Sequence, residues 1–104
     1  MMAPAEFIAS LSAATPPDLA PPLVALWRDA KGDWSLAHKC VDTRDDADGM
    51  WVHAYLHRKE GDLSNARYWY ARAGRPPASG SLEVEFAAIL AALLARATRE
   101  TGSK

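Results

Sequence analysis

The chain has 104 residues, 49% of them hydrophobic and 24% charged, with a formal net charge of −1 at neutral pH. That length suits one domain with a single core, and the composition excludes a disordered chain. The near-balanced charge offers no basic footprint for nucleic acid, and the lone cysteine, Cys40, excludes an internal disulfide and suits a reducing compartment.

No Lys or Arg precedes the short apolar part of the N-terminal stretch, so no secretory leader is expected. The longest apolar run, Phe86 to Ala95, is ten residues, too short to span a bilayer. The expectation is a cytoplasmic protein that engages neither membrane nor nucleic acid.

Every periodic segment reads as helix, so the expected fold class is all-α, with five to six helices in a single domain, residues 1–104. Residues 4 to 13 form a short first helix, stopped by Thr15-Pro16-Pro17. A second begins near Ala20, where Pro21 and Pro22 fit the first turn. Leu23, Leu26 and Trp27 give it an apolar stripe, and Gly32 supplies a left-handed end. Asp33 caps a third helix over Trp34 to Val41.

Thr43 is the expected cap of a fourth helix that runs to Glu60, with Gly49 weakening its start by up to about 1 kcal/mol. Gly61-Asp62 repeats the earlier turn, and a fifth helix spans Leu63 to Ala73 before Gly74 and Pro76-Pro77. Ser81 caps a sixth helix reaching about Thr98, with Phe86, Ile89, Leu90, Leu93 and Leu94 on one face. The tail after Arg99 is expected to fray.

Gly32-Asp33-Trp34-Ser35-Leu36-Ala37 lies over Gly61-Asp62-Leu63-Ser64-Asn65-Ala66 at a constant offset of 29 residues. Two helical hairpins follow, residues 20–43 and 44–77, ahead of a C-terminal helix at 81–99 and a tail at 100–104. Gly stops one helix, Asp starts the next, and an Ala one turn later lets the two cross closely.

The second hairpin resembles a tetratricopeptide repeat or its Sel1-like relatives. Ala54, Gly61-Asp62-Leu63, Ala66, Tyr70, Ala73 and Pro77 hold the places of that family's pattern. The copies are divergent, and their offset of 29 is shorter than the family's period of about 34. The resemblance implies two stacked hairpins with terminal capping helices, and a non-enzymatic module for a protein or peptide partner. In that family, helix-A positions such as those of Trp51, Tyr55 and Arg58 line the partner groove. Aromatic residues with Arg are also a typical hot-spot composition, although Trp51 and Tyr55 would serve equally as core fillers. An apolar last helix is compatible with a homodimer.

His53 and His57 lie four apart on one face of the fourth helix. Such a pair can chelate a metal, but Ala54 follows His53, so the general-base Glu of the H-E-x-x-H motif is missing. Spacing alone offers no third ligand; His38 and Cys40 on the third helix are the nearest candidates. The competing reading packs both imidazoles against buried hydrogen-bond partners. The acidic stretch Asp42 to Asp48 fails as a calcium loop, because Gly49 in the sixth position puts Arg44 first and Tyr55 last.

The expected binding residues are therefore Trp51, His53, Tyr55, His57 and Arg58, with no catalytic residue, cofactor or metal assigned. The alternative is a small-molecule- or metal-binding protein, or an enzyme, that uses His53 and His57.

Overall fold

The computed structural model describes residues 2–102, with side chains through residue 97. Six helices account for its regular structure: α1 (Pro4–Ala9, continued by a 3-10 turn over Ser10–Ser12), α2 (Pro21–Ala30), α3 (Trp34–Val41), α4 (Ala47–Lys59), α5 (Leu63–Arg72) and α6 (Leu82–Gly102). There is no strand among the described residues, and none of their helices is long and apolar enough to cross a membrane.

α2 packs against α3, and α4 against α5, as two hairpins. The two turns between them are built alike. Lys31, Gly32 and Asp33 donate their N–H groups to the carbonyls of Trp27, Asp29 and Arg28. Glu60, Gly61 and Asp62 do the same to Leu56, Arg58 and His57. Gly32 and Gly61 sit at φ +88° and +90°, where an L side chain is strained. Asp33 and Asp62 then accept from the N–H groups of Leu36 and Asn65, capping α3 and α5. Ala37 and Ala66 are buried one turn further on, which lets each pair of helices approach.

α4 is the central element. It touches α2, α3, α5 and α6, and Gly49 through His57 are all buried, as expected of a helix apolar on most sides. α6 crosses α2 and α4, and α1 packs against α6. Phe7, Leu26, Trp27, Val52, Leu56 and Ile89 are fully enclosed, each stabilising the fold by roughly 1.5–3 kcal/mol before entropy is counted.

Two boundaries differ from expectation. The cap of α4 is Asp46, not Thr43: its Oδ2 accepts from Gly49 N–H at 3.0 Å while Arg44 Nε donates to its Oδ1 at 2.7 Å. Burial alone would raise the Asp46 carboxyl pKa, but the Gly49 N–H and the Arg44 guanidinium hold it below its usual value. α6 also runs past Thr98 to Gly102, because Arg99-Glu100-Thr101 contains no helix breaker. Ser103 and Lys104, the end of the tail expected to fray, lie outside the described residues.

Candidate metal centre

α4 packs against both α3 and α5 and carries two buried imidazoles, and α3 adds a third. His53 and His57 lie one turn apart, their ring centroids 4.8 Å from each other. Across the hairpin junction, His38 comes within 4.7 Å of the His53 ring and 5.1 Å of the His57 ring. One ligating atom from each of the three falls within 4.8 Å of the other two.

Two tryptophans fix the rings. Trp34, one turn before His38 on α3, stacks on it at 4.9 Å with an interplanar angle of 9°. Its indole N–H donates to the Leu56 carbonyl at 2.8 Å, which ties α3 to the last turn of α4. Trp69 on α5 stacks on His53 at 4.1 Å, and the Arg72 guanidinium lies 5.0 Å over that indole. Glu60 fixes the third ring, its Oε2 lying 2.7 Å from His57 Nδ1. An ionised carboxylate only accepts, so Nδ1 carries the proton of this hydrogen bond, and in the neutral tautomer Nε2 is the nitrogen that can ligate.

The Nε2 atoms of His38 and His53 lie 3.0 Å apart. Only one of them can hold a proton, and His53 Nδ1 is buried without a partner. Either tautomer therefore leaves His53 with one unsatisfied nitrogen, at a cost of about 1–3 kcal/mol. Protonation does not relieve it. Burial, then the neighbouring His38 and His57, lower the His53 pKa to about 4, and burial and His57 lower that of His38.

One part of this geometry, the His38–His53 pair, matches a transition-metal site. Two imidazole nitrogens on one tetrahedral zinc, each about 2.0–2.1 Å from it, lie about 3.3 Å apart. The His38–His53 separation of 3.0 Å is already close to that. Neutral imidazole is the form that ligates, and a carboxylate on the far nitrogen of a ligating histidine is a common orienting contact. Glu60 stands in that position on His57.

The structure brings together only two of the five expected binding residues, His53 and His57. Trp51 is buried beneath the Arg75 guanidinium, 3.3 Å above its ring. The Tyr55 hydroxyl meets Asp29 Oδ2 at 3.4 Å, and burial with Asp29 raises its pKa. Arg58 donates to Glu85 Oε1 at 2.8 Å and to the Gly80 carbonyl. These three side chains join α4 to α2, α6 and the loop before α6.

His38 is the residue that spacing did not identify. Its signal was Trp34-x-x-x-His38 ahead of His53-x-x-x-His57, two one-turn pairs on successive helices across a hairpin junction. Cys40, the other candidate from α3, takes no place in the cluster; burial, the largest influence, and Asp42 raise its thiol pKa against the opposing pull of Arg28. Compared with known proteins, the chain matches no family model, no curated sequence and no solved structure.

Proposed function

We propose that this chain is a small helical binding protein whose ligand is a divalent transition-metal ion, held by His38, His53 and His57. The observation that carries the reading is the convergence of three imidazoles within 4.8 Å of one another, two of them buried. A neutral all-nitrogen donor set favours zinc, copper, nickel or cobalt over magnesium or calcium, which prefer oxygen ligands. Zinc is the first metal to test, because imidazole suits it and it binds without redox change.

Chelator-stripped protein titrated with zinc in a calorimeter should bind about one ion per chain. The double variant His38→Ala/His53→Ala should lose that binding while keeping its helical circular dichroism. Unchanged zinc affinity in the double variant would sink the proposal.

A protein or peptide partner is the other function expected from the sequence. Trp51 and Tyr55 are covered within the chain, so such a partner would meet exposed apolar side chains among Ile8, Leu36, Leu63, Tyr68 and Val84. Those exposed side chains are the observation that favours this second reading.

A further inference from the structure

A metal ion in this cluster would have three donors from the described side chains. Among the described residues, the group of His, Cys, Asp and Glu side chains that converges on His38 and His53 has only these three histidines as members. The nearby alternatives are engaged elsewhere. Glu60 is held on the Nδ1 side of His57, opposite the nitrogen left for the ion. Cys40 is two residues from His38, about 200° round α3 and so on its other face. Asp42 acts on His38 and His53 through its charge but supplies no atom to the group.

Four-coordinate ions do not remain three-coordinate. Structural zinc sites are closed by four protein ligands, whereas sites with three protein ligands complete the shell with a molecule from solution. The surroundings decide where that molecule enters. His53 and His57 are only 3% and 7% exposed, Trp69 covers one face of His53, and Trp34 covers one face of His38. His38 alone of the three retains partial exposure, so the approach is past its ring. Three neutral imidazoles bring no charge into the ion's coordination shell, and Asp42 and Glu60 act only from outside it, so the open position favours an anion.

We propose that the ion bound by His38, His53 and His57 keeps one exchangeable position, reached past His38, that takes a small monodentate anion from solution. This rests on the metal-binding reading above and adds an activity to it: the loaded protein is a receptor for an exogenous donor, not a closed structural site. Hydroxide belongs to the same ligand class, so the position is also where a metal-bound nucleophile would form.

Cobalt(II) reports on both levels. Chelator-stripped protein is loaded with cobalt, its visible ligand-field bands are recorded, and azide is titrated in, with sedimentation velocity run on the same samples. The expected result is a tetrahedral-intensity spectrum on loading, then a saturable shift of the bands with about one azide per cobalt. The cobalt protein should sediment as it does without metal.

Bands that form on loading but do not move with azide would overturn the open position and leave metal binding standing. A thiolate-to-cobalt band that Cys40→Ser removes would do the same, by identifying a fourth protein ligand. So would cobalt-dependent dimerisation, which would place a second copy's side chain in the position. Absence of any ligand-field band on loading would overturn the metal-binding reading and this one together.

Discussion

Single residues here carry constraints that composition hides. Gly49 reads as a weak point near the start of α4, yet a Cβ there would lie 2.9 Å from Arg44 Cβ and 3.0 Å from Asp46 Oδ1. Arg44 Cβ sits at the root of its side chain and cannot swing away. Gly49→Ala should therefore destabilise the fold by about 1–3 kcal/mol through crowding, overriding the roughly 1 kcal/mol of helix propensity that Ala brings. Urea denaturation checks the sign; a stabilised variant would mean that the Arg44 turn yields.

His53 makes a second prediction at this scale. In the unfolded chain it takes up a proton near 6.5, but in the metal-free fold only near 4. Between those values the unfolded state binds more protons, so stability falls as pH drops through that window, by about 3 kcal/mol for this group. His38 adds to the same slope, while the charges of Asp42 and Glu60 oppose it. His53→Leu should flatten the acid limb of thermal stability measured from pH 7 to 4. An unchanged limb would place the linkage in other groups.

Residue identity was the least legible level in the sequence. The pairing of His53 with His57 follows from helical periodicity alone. The arrival of His38 depends on how one hairpin leans on the next, which no local spacing encodes.

At the scale of elements, helix ends were more legible than helix faces. Gly-Asp at residues 32–33 and 61–62 announces both turns, and the backbone hydrogen bonds repeat with the same offset as the residues. Asp33→Ala and Asp62→Ala should each cost about 1 kcal/mol, the usual loss of a capping side chain. If only one of them does, the two turns are not energetically equivalent. Thr43, Asp45 and Asp46 are all competent caps by residue type, so residue type does not select the cap of α4. The choice of Asp46 depends on Arg44 folding back to bind its Oδ1.

The faces of α4 were harder to read because nearly every face of that helix is apolar. Periodicity placed Trp51, Tyr55 and Arg58 on a common side but could not say that α6 and Arg75 cover that side. For such a helix, burial follows from the number of neighbours, not from the pattern of its own residues.

Across the whole molecule, α6 is held by charge as well as by its apolar face. Glu85 is buried in α6, 6% exposed, and accepts hydrogen bonds from Arg58 of α4 and the Tyr70 hydroxyl of α5. Burial and this carboxylate raise the Tyr70 pKa, so the phenol stays a donor at neutral pH. Glu85→Ala strands a mostly buried guanidinium and should cost about 3–5 kcal/mol, read as a large fall in thermal midpoint. Glu85→Gln retains an acceptor for Tyr70 and should lose less. Equal losses would locate the stabilisation in the Arg58 charge pair alone. The all-helical class and the hairpin count were legible from period and turn chemistry, whereas this network joins residues too far apart in sequence for local patterns to reveal.

The three imidazoles also come from both hairpins, His38 from the first, His53 and His57 from the second. An ion shared among them would tie residue 38 to residue 53 and close a loop of chain around the Asp42–Asp46 connection. In the entropic account of cross-links, a loop of about 15 residues removes roughly 3 kcal/mol of unfolded-state freedom. The hinge between the hairpins would then become a pinned joint. Amide exchange in the last turn of α3 and the first turn of α4 should slow on loading to the rate of the helical core. That protection should disappear in His38→Ala even if His53 and His57 still hold the ion.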